Sequence, residues 1–316
     1  MLNIYKIPVP TPYTVGTINS YLIKNEPYTL LDTGPNTDEA KRVLTEELHK
    51  LGVELSDIKR VALTHSHLDH SGLVPWLQKI SGAQVYINRL EIRKILPAYD
   101  FYLERLAFLQ EAGLPTDAFY EILGDFDPVG DCEPLNPDAV FLNEGDPLIF
   151  NGGALTAMHM PGHSEGLMCF YDEEGGSFFA GDFILKMITP NPSMEPDPED
   201  YSRRLPTLKL YLAGLSRLEA LNPRLILPGH GGNITDGKTA SRKVIEHHME
   251  RLQYTLDILQ NKSLTVYQLM REFYPSIEGF EIYLGISEVY AHVDYLVLEG
   301  KAIKENAGAF SLFHAV

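Results

Sequence analysis

The stretch Thr64–Gly72, THSHLDHSG, gathers four potential metal-ligating side chains into one short turn. They are His65, His67, Asp69 and His70. Neither the two-residue alternation of a strand nor the spacing of an amphipathic helix explains this crowding, and the neighbouring serines and glycine are typical of turns. Imidazole and carboxylate groups without a thiolate suit Zn²⁺, Mn²⁺ or Fe²⁺. Taken alone, the His-x-His pair is also compatible with a polar surface loop.

The segments around this stretch indicate where it lies in the fold. KRVALTH (59–65) is typical of a buried strand, SGLVPWLQKISG (71–82) of a helix that ends at a glycine, and AQVYINR (83–89) of another strand. We therefore expect the ligands on a loop at the end of a strand. Upstream, NIYKIPVP, NSYLIKN and YTLLDTG predict three strands, followed by a helix that opens at Asn36 and closes at Gly52.

Three further candidate ligands each follow a strand-like run and have small neighbours. They are His163 in PGH, Asp182 in FAGD and His230 in LPGH. Small neighbours allow the backbone and the side chain to approach an ion closely. Each of these is a weak indication by itself. Together with the first cluster they supply seven ligands, the number and type that two adjacent metal ions require.

The complete pattern resembles the metallo-β-lactamase superfamily of binuclear metallohydrolases. The order His-x-His-x-Asp-His, a single His, an Asp and a last His is met with no member missing, and the resemblance spans residues 1–240, including DTG at 32–34. It implies an α/β fold, the four-layer αββα sandwich. It also implies that His65, His67 and His163 hold one cation, that Asp69, His70 and His230 hold the other, and that Asp182 bridges them.

The cofactors expected from this resemblance are two divalent metal ions, zinc first, with Mn²⁺ or Fe²⁺ as alternatives. Since one bound Zn²⁺ lowers the pKa of water to about 7, hydroxide would exist at neutral pH and attack a carbonyl or phosphoryl centre. Asp69 is the candidate catalytic residue, which orients this nucleophile or takes up its proton. Asp32 and Ser164 are expected to support the site or the fold. The remaining histidines are interpreted as surface or packing residues: His49, His159, His247, His248, His292 and His314.

Two additions to the sandwich are predicted. Residues 90–124 have helical spacing with an aromatic stripe and form a helical insert, followed by an irregular stretch to Pro137. Residues 241–316 read as three helices and a hairpin, a small winged-helix-like C-terminal domain. The insert and the Pro-rich loop 189–200 are expected to form the walls of a substrate pocket.

The metal ligands do not determine the substrate, because substrate choice depends on the residues that surround the metal site. We favour a small ester, thioester or lactone. A metal-dependent phosphodiesterase or ribonuclease is the first alternative, because the C-terminal pattern AHVDYLVLEGKAI resembles a branch that includes an endoribonuclease. A diiron oxygen-reducing protein is disfavoured because the chain after the metal domain is too short for a flavodoxin-like module. A non-catalytic metal-binding protein is disfavoured by the intact ligand set.

Composition limits the partners. The chain has 26 Lys and Arg against 43 Asp and Glu, a formal net charge of −17. Residues 241–316 hold 7 basic and 10 acidic side chains, which argues against nucleic acid. We therefore expect a small-molecule substrate, no membrane segment and a cytoplasmic location. A homo-oligomer is compatible with the sequence. The two cysteines, Cys132 and Cys169, are expected to be buried or incidental thiols rather than a disulfide pair.

Overall fold

The computed structural model describes residues 1–96, 99–125 and 138–316. In these residues the strands are β1 (Ile4–Val9), β2 (Ile18–Ile23), β3 (Thr29–Leu31), β4 (Arg60–Ala62), β5 (Gln84–Ile87), β6 (Val140–Phe141), β7 (Pro147–Phe150), β8 (Gly153–His159), β9 (Met168–Asp172), β10 (Ser177–Gly181), β11 (Pro196–Asp197), β12 (Asp200–Arg204), β13 (Leu225–Pro228), β14 (Ala302–Asn306) and β15 (Ser311–Ala315). The α-helices are α1 (Asp38–Lys50), α2 (Leu68–Ser71), α3 (Val74–Ser81), α4 (Arg89–Ile92), α5 (Phe101–Glu111), α6 (Thr116–Asp125), α7 (Thr207–Leu221), α8 (Gly237–Leu259), α9 (Val266–Phe273) and α10 (Phe280–Leu298).

The first sheet has the strand order β1-β2-β3-β4-β5-β6. Strands β1 to β3 pair antiparallel, and β3 to β6 pair parallel. Because successive side chains of a strand point to opposite faces, the sheet is apolar on both sides. Leu22 and Val61 pack in the cluster that contains helices α1 and α3, whereas Tyr21 and Ala62 pack toward the second sheet.

The second sheet has the order β13-β10-β9-β8-β7, with β10 and β13 parallel and the other pairs antiparallel. Phe170 and Phe179 pack against the first sheet. Cys169 and Phe178 lie on the opposite face, in the cluster formed with α7 and α8. Helices, sheet, sheet and helices therefore form four layers, and the predicted αββα sandwich is confirmed.

The strand ends bring the candidate ligands to one edge of the sandwich. β4 ends just before the THSHLDHSG stretch, β10 ends directly before Asp182, and β13 ends shortly before His230. In open α/β sheets the carboxyl ends of the parallel strands meet at the same edge, where ligands bind. Gly229 N donates to Gly181 O at 2.7 Å, which joins two of these strand ends directly.

The predicted insert is helical and shares a hydrophobic core with the C-terminal helices. Phe108 of α5 and Ile122 of α6 pack in one buried cluster with residues of α9 and α10, and the Tyr290 hydroxyl donates to Phe108 O at 2.9 Å. The hairpin β14-β15 forms as expected. Helix α8 runs across the predicted domain boundary at 240. The division into 1–240 and 241–316 and the winged-helix description stay predictions.

Local details differ from the sequence prediction. The THSHLDHSG stretch is only partly a loop, because α2 places Asp69 and His70 on one helical turn. Helix α1 is capped by Thr37, whose side chain accepts from Ala40 N, and not by Asn36. The Pro-rich loop 189–200 includes the short strand β11 and leads into β12, and the pairing of these two strands has a register shift between Pro196 and Asp197. Cys132 and the stretch that ends at Pro137 lie outside the described residues.

Cys169 is fully buried, and its thiol contacts Ala180 O at 3.5 Å. Burial raises the pKa of this thiol well above its usual value, so it is a packing residue. In the described part of the chain, no helix combines the length and apolar character that a membrane span needs.

Candidate metal centre

The structure brings all seven candidate ligands together. Three groups have ligand atoms that lie within 4.8 Å of one another: His65, His67 and His163; Asp69, His70 and His230; and His65, His70 and Asp182. All seven side chains are buried or nearly so. The first two groups match the two ion sites implied by the resemblance, and the third joins them.

The first group is a triangle of imidazole nitrogens. His67 Nδ1 lies 3.0 Å from His65 Nε2 and 3.0 Å from His163 Nε2. The ring planes of His67 and His163 stand nearly perpendicular, at 87°. Three ring nitrogens that point at one place are a common ligand set for zinc.

The second group combines one carboxylate with two imidazoles. His230 Nε2 lies 3.1 Å from Asp69 Oδ2, and His70 Nε2 lies 3.8 Å from the same oxygen. Asp69 and His70 come from helix α2, and His230 follows β13. Asp69 and His70 therefore project from a helical turn, whereas His65 and His67 precede α2 on the chain.

Asp182 lies between the two groups. Its Oδ1 is 3.5 Å from His70 Nε2, and its Oδ2 is 3.8 Å from His163 Nε2 and 3.6 Å from His230 Nε2. The residue follows β10 directly, where Gly181 has a positive φ of 49°. A Cβ at Gly181 would come within 2.6 Å of Thr64 Oγ1, so only glycine lets this loop approach the THSHLDHSG stretch.

Four of the histidines are oriented by oxygen acceptors on their outer ring nitrogens. The contacts are His65 Nδ1 to Thr64 Oγ1 at 3.0 Å, His70 Nδ1 to Asp32 Oδ2 at 2.8 Å, His163 Nδ1 to Asn191 O at 3.2 Å and His230 Nδ1 to Thr17 O at 3.0 Å. Since each outer nitrogen donates its N–H to oxygen, each inner nitrogen of the neutral ring presents a lone pair. Such outer partners are typical of metal-bound histidine.

The inner atoms lack the hydrogen bonds that burial normally requires. In the described part of the chain, His70 Nε2, His230 Nε2 and Asp182 Oδ1 are buried and make no hydrogen bond of good geometry, although His230 Nε2 lies 3.1 Å from Asp69 Oδ2. An unsatisfied buried polar atom costs about 1–3 kcal/mol, and three of them meet at one point here. Lone pairs and carboxylate oxygens without donors fit divalent cations, so the donor set fits the expected cofactor.

The electrostatics divide the histidines in the same way. Burial, with help from His163, lowers the pKa of His67 to about 4, and burial with His70 lowers the pKa of His65 well below its usual value. Burial alone would lower the pKa of His70 too, but Asp182 and other carboxylates outweigh it and raise that pKa. The imidazoles of the first group are therefore neutral and ready to bind a metal ion. At the second group, the carboxylates around His70 favour positive charge.

Asp32 supports the centre from behind, as expected. Its Oδ1 accepts from Thr64 N at 2.8 Å, and its Oδ2 accepts from Thr64 Oγ1 at 2.8 Å and from His70 Nδ1. The residue has a positive φ of 56°, which is rare outside glycine. This conformation turns the carboxylate at the end of β3 toward the ligands.

Glu91 is a buried site residue that the sequence prediction missed. Its carboxylate accepts hydrogen bonds from Ser66 and from Ser164, which stand next to ligands. In the sequence NRLEIRK it looks like a surface glutamate between apolar residues. The only available signal is its place two residues after a predicted strand.

The other histidines lie apart from the seven ligands, as predicted. His49 is exposed and contacts Glu54 Oε1 at 2.9 Å. His248 and His292 are buried packing residues whose rings meet, with His248 Nδ1 3.2 Å from His292 Nε2. His159 Nε2 lies 2.9 Å from Glu165 O.

Comparison with known proteins gives one family. The family model described as the metallo-beta-lactamase superfamily matches residues 13–230. A relative from Bacillus subtilis (strain 168), named "Probable metallo-hydrolase YqjP", is 31% identical over 310 residues, which cover 94% of this chain and 93% of the relative. An atrochrysone carboxyl ACP thioesterase from Aspergillus fumigatus (Af293) is 26% identical over 204 residues, which cover 65% of this chain and 48% of that protein.

The fold agrees with the sequence relatives. The crystal structure of a metallo-beta-lactamase family protein from Thermus thermophilus matches with a TM-score of 0.83 and 28% identity, covering 99% of this chain and 98% of that one. The family model, the Bacillus relative and this structure all span the ligand-bearing strands. The chain therefore belongs to the metallo-beta-lactamase superfamily.

Proposed function

We propose that this hydrolase of the metallo-beta-lactamase superfamily cleaves a small acyl ester, thioester or lactone with two divalent cations, zinc being the first choice. His65, His67 and His163 would hold one ion, and Asp69, His70 and His230 would hold the other. Asp182 would bridge them. The proposal concerns a small-molecule substrate rather than nucleic acid.

The position of Asp182 carries the proposal. Its Oδ1 faces His70 of one ligand group, while its Oδ2 lies 3.8 Å from His163 of the other. A carboxylate with two oxygens can bridge ions about 3.5–4 Å apart, the spacing of two-metal hydrolytic sites. A single structural zinc normally has four closed ligands and no open position, and these seven residues exceed that need.

Asp69 is suited to work on the attacking water. When bound, divalent cations lower the pKa of a coordinated water and make hydroxide available near neutral pH. Burial would raise the pKa of Asp69, but His70 and His230 outweigh it and lower that pKa, so the carboxylate is ionised. It lies 3.1 Å from His230 and can orient the water and accept its proton.

Charge and similarity support an acyl substrate. Arg93 and Lys94 lie close to the centre, but both are paired with Glu165, at 2.6 Å and 3.4 Å, so they offer no unpaired cation to a phosphate backbone. The thioesterase relative acts, by its name, on a carboxyl group carried by ACP. This chain spans less than half of that relative's length, so we carry over the thioester chemistry and not the carrier.

Elemental analysis coupled to a substrate panel tests the proposal. We expect two equivalents of metal per chain, and turnover on thioester, lactone or ester substrates that disappears after chelation. The control His67→Ala should lose one ion and turnover while its far-UV circular dichroism stays unchanged. Activity confined to a phosphodiester would favour the nuclease alternative, and unfolding of His67→Ala would favour a structural ion. One equivalent of metal with full turnover would refute the two-ion arrangement.

A further inference from the structure

A buried carboxylate outside the ligand set touches both loops that carry the histidine triangle. Glu91, on the single turn of α4, is 0% exposed. Few glutamates are buried so completely without a specific set of donors. Apart from the ammonium group of Lys94, which lies 3.5 Å from Glu91 Oε1, the donors to Glu91 come from the segments beside His65 and His163.

One oxygen holds the first loop. Glu91 Oε2 accepts from Ser66 N at 3.0 Å and also from Ser66 Oγ. Ser66 stands between His65 and His67, so both of its hydrogen bonds fix the backbone from which these two rings project. The separation along the chain is 25 residues, so α4 reaches this loop only through the tertiary fold.

The other oxygen holds the second loop. Glu91 Oε1 accepts from Gly166 N at 2.8 Å and from Ser164 Oγ. Ser164 directly follows His163. A Cβ placed on Gly166 would lie 2.8 Å from Glu91 Cγ, so this loop rests against the glutamate with no room for a side chain.

These contacts require a carboxylate and not merely a polar side chain. An ionised carboxylate has only acceptors, about four lone-pair sites, whereas an amide of the same shape turns two hydrogens toward its neighbours. If Glu91 were replaced by glutamine, the side-chain NH₂ group would point at the N–H or O–H donors of one of the two loops, and that loop would lose its acceptor. Burial would raise the pKa of Glu91, but the nearby Lys94 and the serine hydroxyls hold it at about 2, so the acceptor form is present.

We propose that Glu91 is a positioning residue for the first cation site: by bonding Ser66 and Ser164 at once, it fixes the distance at which the nitrogens of His65, His67 and His163 converge. The inference rests on the proposed function in taking these histidines as ligands of one ion. It assigns Glu91 no contact with substrate and no role at the second site.

Glu195 provides a matched control. It is also buried, at 2% exposure, and belongs to the same ion network, with Oε1 2.9 Å from Lys94 Nζ and Oε2 2.5 Å from an Arg105 nitrogen. Its side-chain bonds go to these two cations, neither of which lies on a ligand loop. Glu195→Gln therefore removes a charge from the network without touching the serine contacts.

The experiment measures each cation site separately. His230→Ala disables the second site and His67→Ala disables the first. In each background, Co²⁺ affinity is measured by chelator competition and followed by the visible absorption of the bound ion. We expect Glu91→Gln to weaken Co²⁺ binding about 10–100-fold in the His230→Ala background, the usual cost of losing an outer partner. In the His67→Ala background the change should stay within about twofold, the scatter of independent sites.

Equal weakening in both backgrounds, no weakening in either, or the same selective loss from Glu195→Gln would overturn the inference. If Glu91→Gln does not fold, Ser164→Ala removes one donor and decides the question: selective weakening of the first site supports the inference, and unchanged affinity overturns it. Failure of the proposed function looks different. In that case Co²⁺ binds to the parent protein, but the metal-loaded protein hydrolyses no acyl substrate.

Discussion

Acidification should destabilise the protein through His248, and replacing this residue should remove that part of the acid sensitivity. His248 is 1% exposed and packs its ring 5.5 Å from that of Tyr211. His292 Nδ1 donates to Glu288 O at 2.7 Å, so its Nε2 accepts from His248 Nδ1 at 3.2 Å. Within the described residues, His248 Nε2 is buried without a partner. If Nε2 of His248 were protonated, its N–H would therefore find no hydrogen-bond acceptor among the described residues.

The magnitude follows from the pKa of His248 in the two states. Burial, with the neighbouring His292, His247 and Arg251, lowers this pKa to about 2 in the folded protein, against about 6.5 in an unfolded chain. Below about pH 6.5 the unfolded chain therefore binds more protons at this residue than the folded protein does. In that range the free energy of unfolding decreases by about 1.4 kcal/mol for each unit by which the pH is lowered. Between about pH 7.5 and pH 5 the loss from this residue is about 2 kcal/mol.

The assay compares variants, because the ligand histidines also respond to pH. In His248→Asn the amide can still donate to His292, but no ring is left to protonate. We expect its free energy of unfolding in urea, with chelator present, to lie below that of the parent at about pH 7.5, and the difference to shrink by about 2 kcal/mol at about pH 5. Leu252→Ala, a buried cavity variant of the same helix, should keep a constant difference. A constant difference for His248→Asn as well would refute the reasoning.

Three further changes test the centre. Asp32→Asn should weaken metal binding about 10–100-fold in chelator competition, because an amide would replace the acceptor of His70 Nδ1; unchanged affinity would contradict the assigned orientation. Asp69→Asn should lower kcat about 10²–10⁴-fold, and this loss should persist when the metal concentration is raised to saturation; full recovery of kcat at saturating metal would leave Asp69 only the role of a ligand. Tyr211→Phe removes the hydroxyl that donates to Phe183 O at 2.7 Å and should cost about 1–3 kcal/mol in urea unfolding, whereas unchanged stability would deny that bond a role.

The ligands were accessible to sequence reasoning because each follows a strand marked by its residue pattern. His163, Asp182 and His230 also have glycine or another small neighbour on the chain, which indicates close approach of the backbone. Asp32 was accessible for a similar reason, since it ends a strand within DTG. These signals are local in the sequence, and the fold brings the residues that carry them to one edge of the sandwich.

Glu91 and the His248–His292 pair were not accessible in this way. The serine and glycine donors to Glu91 stand 25, 73 and 75 residues away along the chain, and His248 and His292 are 44 residues apart. No periodicity reports contacts of that range. The aromatic stripe of the insert likewise predicted a helical segment, but not the packing of Phe108 against residues of α9 and α10.

The common core of the insert and the C-terminal helices restricts how related proteins can diverge. A bulkier side chain at Phe108 or Ile122 presses on α10. The Ser287 hydroxyl of α10 also accepts from Met194 N at 2.6 Å and donates to Pro192 O at 3.0 Å, which ties the helix to the segment beside His163. The insert and α10 should therefore covary among homologues. A chimera that exchanges one segment without the other would disturb the cation-binding edge, although no ligand had been altered.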